Sequence, residues 1–171
     1  MDSESFNPRK IVSLKSVDDD RQYPRRDRRK LLPTSRKGVP LEDGETEIKI
    51  VTDRKRPQEV GVVRLIVRKN QIRNIKTVEL LARRPGERRP TLVDEFDGKD
   101  LKDVKDNLLK GRNPIKTKLV IIRITKKRNR RVNLRINMKI CVKTTTGNII
   151  FDLSVPNKSV GGIDNKTLSF H

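Results

Sequence analysis

Residues 132 to 142 alternate without a break: Val132, Leu134, Ile136, Met138, Ile140 and Val142 are apolar, and Asn133, Arg135, Asn137, Lys139 and Cys141 stand between them. A period of two sends the two sets to opposite faces of an extended chain, so this stretch must be a one-sided β-strand. Just before it, Thr117 to Thr125 is almost continuously apolar, the pattern of a strand covered on both faces. After it, Thr144 to Gly147 reads as a turn and Asn148 to Val155 as a returning strand. The expectation over 117–155 is an antiparallel meander.

The same window has a second property. Between Asn107 and Phe151 there is no acidic residue, while thirteen positions are Lys or Arg. Over all 171 residues, 42 Lys and Arg face 22 Asp and Glu, a formal charge of +20. Residues 1–45 hold 11 basic and 9 acidic side chains, so the excess belongs to the remainder, with 31 against 13. Self-repulsion at this charge disfavours a compact free chain, and a polyanionic partner relieves it.

Hydrophobic residues are 32% and aromatics 3% of the chain. The core must therefore be small and aliphatic. Upstream, Thr46–Val51, Val60–Arg68 and Ile72–Leu81 read as strands rich in Val, Ile and Leu, with Ile48 and Ile50 on one face. One helix is predicted near 100–110. Asp100 caps it, Leu101, Val104, Leu108 and Leu109 form its apolar stripe, and Gly111 and Pro114 stop it. Residues 1–45 carry Pro8, Pro24, Pro33 and Pro40, few apolar side chains and blocks of both charges, so they read as a flexible N-terminal arm. The fold class is then α+β, mainly β: an antiparallel sheet or sandwich with one short helix and a disordered basic N-terminal arm. The domain spans 46–155, and 156–171 form an irregular tail.

The candidate anion-binding residues follow from this layout. Lys126, Lys127, Arg128, Arg130 and Arg131 cluster in the loop between two strands. Arg135 and Lys139 continue along the polar face of the next strand, about 13 Å apart by the usual rise per residue. In the arm, Arg25, Arg26, Arg28, Arg29 and Lys30 form a basic block that suits an RNA-threading segment or a nuclear import signal. Arg83, Arg84, Arg88 and Arg89 sit in a stiff Pro-Gly-Pro loop. Rows of cations on rigid strands suit a phosphate backbone, with affinity that falls steeply with salt. Only Phe6, Tyr23, Phe96, Phe151 and Phe170 are aromatic and none lies in the basic strands, so base stacking is not expected.

Catalytic groups are scarce. His171 is the single histidine and Cys141 the single cysteine. Asp94, Glu95 and Asp97 read as an acidic approach to the predicted helix rather than as a metal site. No Gly-rich phosphate loop is present, so no cofactor and no enzymatic activity are expected. No apolar run is long enough to span a bilayer as a helix. Met1 to Asn7 has no signal-peptide pattern, which points away from secretion.

Size, high pI, the Pro-containing arm from Phe6 to Pro40 and a strand-rich body with a helix at Asp100 to Lys110 together resemble the small matrix proteins of plant-infecting rhabdoviruses. No PPxY or PTAP motif occurs, since Pro33-Thr34-Ser35-Arg36 lacks the final proline. The resemblance implies a virion protein of host cytoplasm and nucleus that condenses RNA in a nucleocapsid. It also implies bridging to an anionic membrane surface and assembly as a homo-oligomer. A ribosomal or other ribonucleoprotein component, a viral coat protein, or a movement or silencing-suppressor protein would share the same charge pattern.

Overall fold

In the computed structural model, which describes residues 3–4, 10–52, 57–98, 115–141 and 152–154, the apolar runs become strands of two sheets. In chain order these are β1 (Ser3–Glu4), β2 (Ile11–Ser16), β3 (Arg21–Gln22), the one-turn helix α1 (Asp27–Lys30), β4 (Val39–Pro40) and β5 (Gly44–Val51). Then come β6 (Gln58–Ile66), a 3-10 segment Lys69–Asn74, β7 (Ile75–Arg83) and β8 (Thr91–Asp97). The chain continues through β9 (Ile115–Thr117), β10 (Leu119–Lys126), β11 (Asn133–Cys141) and β12 (Asp152–Ser154). The protein is mainly β, with antiparallel sheets and two short helices. The one parallel pair among the described strands is β12 on β6.

One sheet runs β3-β2-β5-β10-β7-β8 and the other β1-β11-β6-β12, with β4 added to β11 and β9 to β6. A single core cluster joins the two. Ile48, Ile50, Val78, Leu80, Val120, Ile122 and Ile124 come from the first sheet, and Val63, Leu65, Leu134 and Ile136 from the second. Each set is spaced by two, as a strand with one buried face requires. In β10, Ile121 on the opposite face is also only 2% exposed, which accounts for the continuous apolar run there.

The expected meander over 117–155 is not formed. β10 is hydrogen-bonded on one edge to β5 and on the other to β7, so neither edge is left for β11. β11 instead crosses to the second sheet and pairs with β6. The alternation in 132–142 reports which face is buried, and that reading holds for Val132, Leu134 and Ile136. It does not report the neighbouring strand. Asp94, Glu95 and Asp97 belong to β8 at the edge of the first sheet. The predicted helix at 100–110 and the tail from 156 lie outside the described residues.

The flexible arm is the larger correction. From Lys10 onward the segment expected to be disordered is sheet and core. β2 pairs with β5 from Ile11 to Ser16, and Ile11, Leu14, Tyr23, Leu31, Val39 and Leu41 are all buried in the core cluster. Between Pro24 and Pro40 the chain forms a strap along the β2 and β11 side of the sandwich. Leu31 O accepts from Ile136 N at 2.7 Å, Leu41 N donates to Val132 O at 2.9 Å, and β4 pairs with the start of β11. Gly38, at φ +75°, lets the strap come close, because a Cβ there would sit 2.7 Å from Leu134 O. Tyr23 completes the lock. Its hydroxyl accepts the Glu42 backbone N–H at 2.8 Å and shares a hydrogen bond with Thr46 at 2.8 Å. Burial pushes that hydroxyl above its usual value of 10.0.

Since Leu31 is fully buried under the strap, Leu31→Ala should lower unfolding stability by about 2–5 kcal/mol in denaturant titration. A tethered flexible arm would predict almost no change.

Candidate nucleic-acid interface

β10 spans the first sheet, and its register fixes where the basic loops go. Lys126 is opposite Gly44 and Ile75 at one end, while Leu119 is opposite Val51 and Arg83 at the other. The 127–131 loop and the turn after β7 therefore lie at opposite ends of the sheet, about 24 Å apart at the usual rise per residue. The two basic loops do not pool.

At the first end, the loop is fastened to the 3-10 segment. Lys127 N donates to Asn74 O at 2.9 Å, and Asn74 Nδ2 donates to Arg131 O at 2.8 Å. Asn133 N donates to Gln71 Oε1 at 2.8 Å, and Gln71 Nε2 donates to Asn133 Oδ1 at 3.2 Å. These bonds set two basic segments side by side. Lys127, Arg128, Arg130 and Arg131 are exposed on the loop, and Arg68, Lys69, Arg73 and Lys76 are exposed on or beside the 3-10 segment. Arg73 and Lys76 carry no signal in the sequence that would mark them as part of this surface. They stand more than fifty positions from the loop, and the antiparallel pairing of β7 with β10, which puts Ile75 opposite Lys126, brings them there.

Lys126 does not belong to this surface. It is 4% exposed, and its ammonium donates to Asp43 Oδ1, to Lys127 O at 3.0 Å and to Arg130 O. Three N–H bonds meet three acceptors, so the charge is satisfied internally and shapes the loop. The signal was present: Lys126 is in phase with Val120, Ile122 and Ile124, which puts it on the core face of β10. The Lys126 hydrogen bond holds the Asp43 carboxyl below its usual 3.8, helped by the Asn129 N–H at 3.2 Å.

Arg135 and Arg28 are also corrected. Arg135 Nη1 donates to Pro33 O at 3.1 Å and Ser35 O at 3.2 Å, tying the strap to β11. Arg28 donates to Ile11 O at 3.3 Å and Val12 O at 3.4 Å. Both are half-buried and structural. Lys30 is exposed but paired with Asp27 at 3.1 Å. Arg25, Arg26 and Arg29 remain exposed on the strap, together with Arg36 and Lys37. The strap carries seven basic residues and one acid between Pro24 and Pro40, and it runs toward the loop end of β11. The Lys139 side chain lies outside the described residues. Arg83, Arg84, Arg88 and Arg89 are exposed at the far end.

The outer face of the first sheet mixes both signs. In one row, Lys15, Glu47, Arg123, Glu79 and Glu95 stand across from one another in β2, β5, β10, β7 and β8. Glu47 is 7% exposed and accepts from Arg123 Nε at 3.0 Å. Burial raises the Glu45 carboxyl above its usual 4.5; nearby Arg123 opposes this, while Glu79, Glu47 and Asp18 add to it. Lys49 pairs with Glu47 as well, at 3.7 Å, so the face between the two basic ends carries both signs. Among the described residues no group of His, Cys, Asp and Glu could hold a metal ion, and no helix is long and apolar enough to cross a membrane.

Lys126→Met should cost about 1–3 kcal/mol per carbonyl left without a donor, whereas Lys127→Ala should stay within about 0.5 kcal/mol, by chemical denaturation. The two carboxylates predict opposite pH behaviour. With its folded value depressed, Asp43 contributes stability above pH 3.8 that is lost as pH falls through the lower folded value. Thermal unfolding of Asp43→Asn should fall below the wild type at neutral pH and converge with it in acid. Glu45 is the reverse. Its raised folded value means that ionisation opposes folding, so stability declines as pH rises above 4.5. Glu45→Gln should melt higher than the wild type at neutral pH, and the gain should vanish below pH 4.5.

No family model, no curated protein and no solved structure matches this chain.

Proposed function

We propose that this chain is a non-catalytic structural protein that holds RNA by its phosphate backbone, as part of a ribonucleoprotein. The observation that carries this reading is the joining of the 127–131 loop to the Lys69–Asn74 segment. Eight exposed cations thereby share one end of a rigid sandwich, and Asp43, the acid that reaches into the loop, is already engaged by Lys126. At this end the exposed Asp18, Asp19 and Asp20 stand on the β2 side beside Gly44, while the 127–131 loop and the Lys69–Asn74 segment on the β10 and β7 side carry cations alone. Such a one-sign cluster is more than solubility needs, which is served by interspersed charges as on the outer sheet face. The strap extends the track with Arg25, Arg26, Arg29, Arg36 and Lys37, giving a line of positive charge that a polyanion can follow. No aromatic side chain is among these residues, so binding should be nearly indifferent to base sequence.

Within this reading, a viral matrix role is the narrower proposal. Such a protein condenses a nucleocapsid in the host cell, self-associates, and meets an anionic membrane with the same cations. Its support is the likeness in size, charge and strand-rich body. The disordered arm that formed part of that likeness is replaced here by a folded strap from Lys10 onward.

Fluorescence anisotropy with a labelled single-stranded RNA over a range of salt tests the binding claim. Replacing Lys127, Arg128, Arg130 and Arg131 by Ala should flatten the logarithmic salt slope by roughly 3, at about 0.7 for each phosphate no longer neutralised. Lys126 must be left in place, since its removal would unfold the loop. A wild-type protein that binds no RNA in dilute buffer would overturn the reading, and binding only to vesicles of acidic lipid would reassign the pole to membrane.

A further inference from the structure

We propose that the turn after β7 is a second, separate phosphate-binding site, so that one copy of the chain ties together two stretches of RNA. The inference rests on the polyanion reading above and adds to it a second contact point and a consequence, cross-linking.

The turn is built to be stiff. Thr117 Oγ1 donates to Arg83 O at 2.6 Å, and Glu87 N donates to Arg84 O at 3.1 Å. Gly86 takes φ +84°, which closes the turn. The Glu87 carboxylate accepts from Thr91 Oγ1 at 3.3 Å and lies 3.4 Å from Arg84 N, so this lone acid of the turn is spent on holding it. Arg83, Arg84, Arg88 and Arg89 are left exposed around it. Lys118, from the corner where β9 passes into β10, joins Arg83 and Arg84 in lining an open cleft of about 310 Å³ bounded by Pro57 and Pro85, with Glu87 as the one acid among the described residues in its wall. No aromatic residue lines it, so the cleft suits a phosphodiester and its sugar rather than a stacked base.

Position makes this a second site and not an extension of the first. The two basic ends are separated by the full length of β10, about 24 Å. Both lie along the β10–β7 pair, with the 127–131 loop and the Lys69–Asn74 segment at one end and the 83–90 turn at the other, while the strap runs on the β2 and β11 side. The outer face between them carries both signs, Glu45, Glu47, Glu79 and Glu95 with Lys15, Lys49 and Arg123, so no continuous line of cations joins the two ends there. Two basic sites held this far apart on one rigid body can each take an anionic segment. That geometry cross-links.

Energy transfer between short RNA duplexes reads the bridge directly. Donor-labelled and acceptor-labelled duplexes are mixed with the full chain, and sensitised emission is followed as protein is added. Emission should peak where duplexes outnumber protein and fall once protein is in excess. Replacing Arg83, Arg84, Arg88 and Arg89 by Ala should leave duplex binding by anisotropy within about fivefold and abolish the transfer. The all-Lys version of the same four positions should restore it, because phosphate contact here needs charge and not a planar fork. Undiminished transfer in the Ala variant would overturn the proposal and would mean that protein self-association does the joining. A wild type that binds duplex with no transfer would overturn it too, while leaving the single-site reading intact. A wild type that binds no duplex at all overturns this proposal, and one that binds no single-stranded RNA either sinks the polyanion reading with it.

Discussion

β10 is held on both edges and on both faces, and the placement of every loop depends on it. Val120, Ile122 and Ile124 are sealed from water on one face, and Ile121 nearly so on the other. Burying four such side chains is worth about 1.5–3 kcal/mol each. Both ends are finished with buried polar groups that have found partners. At one, Thr117 and Thr52 hydroxyls donate to the Arg83 and Thr117 carbonyls, each at 2.6 Å, where the chain changes sheets. At the other, the Lys126 ammonium gathers Asp43 and two loop carbonyls. A strand anchored this way cannot slip by one residue, because slippage would expose the core set and bury Arg123 and Thr125. The loops at its ends are therefore fixed in space.

That fixity sorts the positive charge into two classes. One class is consumed by the fold: Lys126, Arg28, Arg135 and Arg123 each donate to a carbonyl or carboxylate and are at least half-buried. The other class is exposed at the sheet ends and on the strap. Net charge alone does not separate these, and +20 overstates what a ligand can meet. The acidic residues are sorted as well. Glu45, Glu47 and Glu79 surround Arg123 on the outer sheet face, where the two signs are interleaved. Repulsion among the cations at each end opposes folding, and a bound polyanion would relieve it.

The strap shows how a segment poor in apolar residues can still be structure. Six buried side chains over thirty-odd residues are few, but each fills a position on an existing core. Ile11 and Leu14 ride on β5 through β2, and Leu31 and Val39 cover the side left open between β2 and β11. The polar chain between them is satisfied by Arg28, Arg135 and backbone hydrogen bonds. Basic residues thus serve twice here. Some staple the strap down, and their neighbours in sequence face outward.

Periodicity determined, from the residues alone, that the protein is mainly β and which face of β5 and of the start of β11 is buried, because alternation is a local consequence of backbone geometry. It located the 127–131 loop, the 83–90 turn and the charge they carry. It also held the clue to Lys126, one step in phase beyond Ile124. Tertiary structure decided the rest. Which strand β10 pairs with, whether Leu31 meets a core, and whether Arg73 lies beside Arg131 depend on contacts between residues far apart in the chain. Local spacing does not encode those contacts. The energy that selects them comes from the whole sandwich closing at once.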